Sequence, residues 1–299
     1  MEKTKYIWLN GEFINWEDAT THVLTHTLHY GAGAFEGVRA YKADKGTAIF
    51  RLQEHTDRLF YSAEAIGMEI PYSREVLNEA QLELLRKNEI EHAYLRPIAY
   101  YGYGKMGLNP TGCPVDVMIA CWPWGAYLPH DMVDLKVSSY IRIHPKSTVA
   151  DAKISGHYVN SILAVQELQG TKYHEALLLD FEGNIAEGPG ENFFAIKDGK
   201  IYTPPLGNVL KGITRNTIFQ IAEKHGIEVI EKTLTPDEAC DHEEAFFTGT
   251  AAEVTPIRSI DDKSIGEGKI GPITEKIRSS YLDAVHGKNP DFEHFLSYI

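Results

Sequence analysis

Short, largely apolar runs come in pairs at three places, each pair separated by a turn that contains glycine. YIWL (6–9) and EFIN (12–15) flank Asn10-Gly11. ALLLD and IAEG flank Gly183-Asn184, and FFAIK and KIY flank Asp198-Gly199. Turns of this kind admit positive φ at their central positions, so each pair reads as a β-hairpin. Elsewhere the period is 3.6. SREVLNEAQLELLRKNE places Val76, Leu77, Ala80 and Leu84 on one face behind Ser73 as N-cap. RLQEHTDRLFYSAEAIG places Leu52, His55, Leu59, Ala63 and Ile66 on one face and stops at Gly67, a C′ glycine. YVNSILAVQELQG and TRNTIFQIAEKHG read as helices ending at Gly170 and Gly226. In the first of these, Tyr158-Val159 and Ile162-Leu163 are expected to lead into the interior. Hairpins mixed with helices predict a mixed α/β (α+β) fold. WPWGAYLPHDM (122–132), rich in Pro, Gly and aromatics, reads as a linker that covers something.

Composition narrows the partners. The 299 residues carry 29 Lys+Arg against 42 Asp+Glu, a net charge of −13, which disfavours nucleic acid and anionic membranes. No apolar run approaches the ~20 residues of a membrane helix, and MEKTKYIWLNGEF has no apolar signal core, so a cytoplasmic protein is expected. Cys113, Cys121 and Cys240 form no C-x-x-C pair, which suits a reducing compartment better than a disulfide framework. His22, His26 and His29 fit polar packing as readily as a metal site, and no metal is expected.

The chemistry starts at AKISGHYVNS (152–161). Lys153 stands among Ala152, Ser155 and Gly156, either as a surface lysine at a corner or as an amine kept in a pocket for chemistry. Other candidates have equally plain alternatives. KGITRNTI offers Gly212 and then Thr214 as a helix N-cap, a helix start able to take a phosphate or else a simple capped helix. FTGTAAEVTP holds Thr250 in a loop of small residues, or is only a turn. Arg58 borders an apolar helix face, so it either snorkels or is buried and needs an anion. Glu187 in NIAEGPGEN is a pocket carboxylate or a solvated one. A pocket lysine, a carboxylate, an arginine and two phosphate-sized loops are together the parts of a pyridoxal phosphate site.

Seven segments then carry a resemblance, in one order along the chain. They are HTLHYGAGAFEGVRAY, YLRPIAYYGYGKMGLNP, PWGAYL, AKISGHYVNSILA, AEGPGENFFAI, KGITRNTI and GTAAEVTPIRSID. Together they resemble the branched-chain amino acid aminotransferases among the fold-type IV pyridoxal 5'-phosphate enzymes. The resemblance implies a small N-terminal α/β domain (1–124), an interdomain loop (125–132) and a larger pseudo-barrel domain (133–299). It implies Lys153 as the lysine that carries the cofactor, Tyr158 at the ring hydroxyl and Glu187 at the ring nitrogen. Arg58, Ile213, Thr214 and Thr250 become the phosphate cradle, Ile213 through its backbone. The substrate α-carboxylate falls to the N–H groups of Thr250 and Ala251 with Tyr94. The side-chain pocket falls to Tyr30, Phe35, Gly37, Leu108, Tyr127 and Tyr158, and Arg96 is the candidate for the distal carboxylate of glutamate. Met106 adds a pliable filler.

The implied reaction is ping-pong transamination of leucine, isoleucine or valine with 2-oxoglutarate through pyridoxamine phosphate. Tyr30 and Leu108 would come from a neighbouring subunit, so a homodimer is the minimum and a hexamer is within the family's range. D-amino acid and (R)-amine transaminases share the lysine and glutamate and stay open as alternatives, as does a non-catalytic cofactor-binding protein. The segment YGAGAFEGVR and the Tyr94-x-Arg96 pair favour the branched-chain type. His157, Asn160 and the LGNVLKG rim depart from the family pattern.

Overall fold

The structure is a computed structural model describing residues 2–125, 128 and 130–299. The chain divides into two compact units. The first comprises 1–125, 152–157 and 284–299, and the second 126–151 and 158–283. This differs from the continuous ranges 1–124 and 133–299. The physical reason is main-chain pairing. The final strand Leu296–Tyr298 pairs with Gly46–Phe50, and Ile154 bridges Ala34.

The first unit is built on an antiparallel eight-stranded sheet. Its hairpin Tyr6–Leu9/Glu12–Asn15 turns at Asn10 and Gly11, both at positive φ as the sequence predicts. The strand Ala93–Tyr101 lies between Val38–Ala43 and Val115–Trp122. Its alternation decides the site. Leu95, Ala99 and Tyr101 enter the core with Leu59, Leu77 and Leu84 of the helices Leu52–Glu64 and Arg74–Asn88. Tyr94 and Arg96 alternate with these core positions and so take the other face. In the second helix Ser73 caps Val76 N–H, but Val76 itself is exposed, and the buried stripe runs through Leu77, Ala80, Gln81, Leu84 and Leu85. The chain end is held by Phe292 and Phe295, both buried, with the Arg51 guanidinium 4.1 Å over the Phe295 ring.

In the second unit six strands close on themselves. Glu175–Leu179 pairs with Val133–Val137, which pairs with Glu253–Ile260, then Glu244–Gly249, Asn192–Lys197 and Ile185–Glu187, which returns to Glu175–Leu179. Closure leaves no free edge on the ring. Leu135, Leu177, Phe193, Phe247 and Ile257 share one core. On the other strand face Phe194 stacks on Phe246 at 5.0 Å, and Phe219 of helix Ile213–Lys224 packs edge-on against Phe194. The helix Tyr158–Gln166 corrects an expectation. Only Ala164 is buried, while Val159 and Ile162 are 57% and 54% exposed. Its apolar residues recur on more than one face, and a helix has only one face toward its own unit.

Glu175 shares a strand face with Leu177 and is buried. Burial pushes its carboxyl up to about 7, opposed by one hydrogen bond from Ala176 N–H at 2.9 Å. A carboxyl whose folded value is raised costs stability as pH rises from its unfolded value through the folded one. Glu175→Gln is therefore expected to change little at pH 4 and to stabilise at pH 8, by up to about 3 kcal/mol. Thermal unfolding at both pH values checks this, and a gain at pH 4 equal to that at pH 8 would contradict it.

Candidate active site

Lys153 is half-buried, and its main chain is pinned on both sides. Its N–H donates to Ser62 Oγ at 2.9 Å, and its carbonyl accepts from Phe35 N–H at 3.1 Å. Three residues on, Gly156 N–H donates to Gly31 O at 3.0 Å. Lys153 Nζ lies 4.9 Å from the centroid of the Phe35 ring. This is no solvated corner lysine.

Helix Leu52–Glu64 carries the group beside it. His55, Arg58, Leu59 and Ser62 recur at helical spacing on one side. Glu36 is fully buried and binds both basic residues. Arg58 donates through Nε to Glu36 Oε1 at 2.6 Å and through Nη2 to Oε2 at 2.9 Å, and His55 Nδ1 lies 2.8 Å from Oε2. Burial alone would push the Glu36 carboxyl up. Arg58 and His55 outweigh it and hold the carboxyl well below the usual carboxylate range. Burial likewise pushes the His55 imidazole down, against the pull of Glu36. The anion that a buried Arg58 requires is thus supplied first by the protein. Sequence reading missed Glu36 and His55. The available signal was a lone acid within the apolar run GAFEGV.

Phe35, Gly37, Tyr94 and Arg96 gather in the same unit. Arg96 Nη2 donates to Tyr94 Oη at 3.2 Å, and the Arg96 guanidinium sits 4.9 Å from the Phe35 ring centroid. Arg96 Nε is buried without a partner among the described residues, which suits an anionic group arriving with a ligand. A Cβ on Gly37 would lie 1.9 Å from Tyr94 Oη, so the present place of that hydroxyl requires a bare backbone there. Tyr30 accepts at its hydroxyl from Gly107 N–H at 3.0 Å, beside Leu108, which is 88% exposed, and Met106 is also exposed. His26 and His29 spend a ring nitrogen each on the carbonyls of Gly107 and Val23, while His22 Nδ1 accepts from Leu24 N–H. No metal-holding group of three occurs among the described residues. Tyr127 lies outside the described residues.

The second unit holds the other set. Glu187 is buried, not solvated. It accepts from Arg142 Nε at Oε1, and at Oε2 from Asn192 Nδ2 at 3.1 Å and Leu210 N–H at 3.0 Å. Arg142 also donates to Ala150 O at 3.0 Å. Neither Arg142 nor Asn192 was legible beforehand, since Arg142 sits in the irregular stretch SSYIRIHP. Helix Ile213–Lys224 begins two residues earlier than Thr214 as cap would require. Gly212 is the N-cap with no side-chain cap, and Thr214 is buried inside the first turn. Gly212 is glycine because a Cβ would lie 1.9 Å from Asn192 Oδ1. An uncapped helix start with its positive dipole end suits a phosphate. Thr250, Ala251 and Ala252 form a three-residue hairpin loop between Gly249 and Glu253, with Glu253 at φ 55° and Thr255 Oγ1 bonded to Ala252 O at 2.7 Å. Tyr158 opens the helix Tyr158–Gln166.

The donor sets fit a phosphorylated, aldehyde-bearing aromatic cofactor: an amine, a buried carboxylate for a ring N–H, and an uncapped helix start. The profile of the family described as amino-transferase class IV matches residues 33–260. The chain belongs to that family and is an aminotransferase. It is similar to the branched-chain-amino-acid aminotransferase of Pseudomonas aeruginosa, 54% identical over 94% of this chain and 93% of the relative. The Escherichia coli K12 protein of the same name is 42% identical over 97% and 96%. Among solved structures, the T.th. branched-chain amino acid aminotransferase with pyridoxamine 5'-phosphate matches at TM-score 0.97 and 45% identity, covering 100% of this chain and 99% of that one. The Escherichia coli branched-chain enzyme matches at 0.96 and 42%, covering 99% of each chain. The mixed α/β, two-domain fold-type IV architecture expected from the sequence is the one these structures share.

Glu36→Gln keeps the shape of the buried acid and removes its charge. It leaves Arg58 without its counter-charge, so a loss of about 3–5 kcal/mol in urea unfolding is expected. A loss under about 1 kcal/mol would show that the pair carries little of the unit's stability.

Proposed function

We propose that the chain uses pyridoxal 5'-phosphate to move the amino group of leucine, isoleucine or valine to 2-oxoglutarate, in ping-pong order, giving branched-chain 2-oxo acids and L-glutamate. The observation that carries this reading is Lys153, half-buried against Phe35 with its main chain pinned by Ser62 and Phe35. The two relatives and two solved structures named above support the substrate class.

The cofactor, when bound, supplies an aldehyde that links amines and a ring that draws electrons from the substrate α-carbon. Lys153 Nζ would hold the cofactor covalently and, when free, would take the proton from the substrate α-carbon and return it as general base and acid. Glu187 would accept the ring N–H, and Arg142, Asn192 and Leu210 N–H hold its carboxylate in place. Tyr158 binds the ring hydroxyl. Arg58, Ile213 N–H, Thr214 and Thr250 hold the phosphate. Thr250 and Ala251 N–H groups with Tyr94 bind the α-carboxylate. Phe35, Gly37, Tyr30 and Leu108 would wall an apolar side chain.

The same pocket must take a second carboxylate, and this falls to Arg96 with Tyr30 assisting. Arg96 stacks on Phe35, so its charge can rest against an aromatic wall when an aliphatic side chain is present. The exposure of Leu108, Leu28 and Val23 supports a homodimer as the smallest working unit.

Visible absorption of the purified protein with cofactor, followed as L-leucine is added, tests the reading. A cofactor band that is lost on addition supports it. A band answering only to D-leucine or an (R)-amine moves the substrate class to those alternatives. No band at all overturns the role of Lys153. Lys153→Ala is expected to abolish turnover. Arg96→Ala is expected to raise KM for 2-oxoglutarate at least about ten-fold, with far less effect on leucine. Equal losses would refute the Arg96 assignment.

A further inference from the structure

We propose that Arg39 is a positioning residue for the second-carboxylate site, acting through Trp124 and Tyr94 to aim Arg96. The proposal rests on Arg96 binding the distal carboxylate, as argued above.

The chain of contacts runs within the first unit. Arg39 and Tyr94 are direct cross-strand partners in the pairing of Val38–Ala43 with Ala93–Tyr101, so both side chains share the face that carries Arg96. Arg39 is only 5% exposed, and its guanidinium carbon sits 5.5 Å from the Tyr41 ring centroid. Its Nη2 is shared between the carbonyls of Trp124 at 3.4 Å and Gly125 at 3.2 Å, with His92 Nε2 at 3.3 Å.

Those two carbonyls matter because the strand Val115–Trp122 has already ended. Trp124 lies past the last ladder partner, Trp122 opposite Tyr94, and Arg39 donates to its carbonyl. The Trp124 ring then meets Tyr94 edge-on at 4.5 Å, and Trp122 lies 5.3 Å from Tyr94 on its own account. Gly37 admits the Tyr94 hydroxyl, since a Cβ there would lie 1.9 Å from Oη. Tyr94 is therefore boxed by two indoles and a bare backbone, and its hydroxyl accepts from Arg96 Nη2 at 3.2 Å. If the two carbonyls move, the Trp124 edge moves. Tyr94 then gains room, and Arg96 loses the oxygen that orients its fork.

An aliphatic substrate side chain needs volume and tolerates a loose wall. A carboxylate needs two N–H groups at hydrogen-bond distance and angle, so it is the substrate that reports a misaimed guanidinium. The signature of Arg39 is accordingly selective.

The experiment compares Arg39→Met, Arg39→Lys, Trp124→Leu and Arg96→Ala as folded holoenzymes, measuring the two half-reactions separately. Arg39→Met keeps the aliphatic stem and removes the donors. It is expected to raise KM for 2-oxoglutarate about ten-fold while KM for leucine changes less than about two-fold. Arg39→Lys, which can still donate to a carbonyl, is expected to recover part of the loss. Trp124→Leu is expected to show the same selectivity with Arg39 intact, which keeps the test alive if Arg39→Met fails to fold. Tryptophan emission of cofactor-free Arg39→Met is expected to shift to the red as the Trp124 indole loses its packing. Equal effects on both substrates, or none, with Arg96→Ala still selective, overturn the proposal and leave Arg96 in place. A non-selective Arg96→Ala overturns both.

Discussion

A carboxylate with no solvent access must be neutralised where it stands, and Glu36 imposes that on the first unit. Its two oxygens require Arg58 and His55, so the helix Leu52–Glu64 has to present both residues at one rotation and one depth. That rotation brings Ser62, one turn beyond Arg58, under the main chain of Lys153. The Lys153 carbonyl then takes the N–H of Phe35, the residue before Glu36. One buried charge thus fixes an arginine, an aromatic wall and the backbone of Lys153. Misplacing any one of them would leave a charge or a polar group unsatisfied.

The second unit obeys a different constraint. Six strands closed in a ring leave no edge strand free to slide. Glu187 ends one of those strands, opposite Asn192 on the next. Asn192 donates both to Glu187 and to the Leu210 carbonyl, so the carboxylate, the loop before the helix Ile213–Lys224 and the start of that helix form one hydrogen-bonded cluster. The bareness of Gly212 follows from it. The hairpin loop at Thr250 belongs to the same ring, between the paired strands Glu244–Gly249 and Glu253–Ile260. Loops set on a closed ring can place N–H groups accurately without large cores of their own.

The local signals held wherever the backbone decides structure by itself. Asn10-Gly11 and Asp198-Gly199 turned hairpins, and Ser73 capped its helix, because turn φ angles and capping bonds involve only near neighbours. Burial was less legible. Val76, Val159 and Ile162 are apolar yet exposed, because which stripe of a helix is covered depends on what packs against it. Thr214 looked like a cap and is not one, since Gly212 had to be bare for Asn192. Arg142, distant in sequence from Glu187, carried no local mark at all.

The sequence alone determined the mixed α/β class, the three hairpins and the order of seven family segments, and through those segments it marked Lys153, Glu187 and the pocket residues as candidates. All of that is encoded in short windows, where residue identity limits φ, hydrogen bonding and chemistry directly. Only the tertiary structure decided that residues 152–157 and the C-terminal strand belong with the first unit, that Glu36 and His55 stand behind Arg58, that Arg142 and Asn192 hold Glu187, and that Arg39 reaches the carbonyls beyond Trp122. Most of those pairings join residues far apart along the chain. They are set by the need to satisfy each buried charge and each unpaired carbonyl, and that need exists only once the chain has folded.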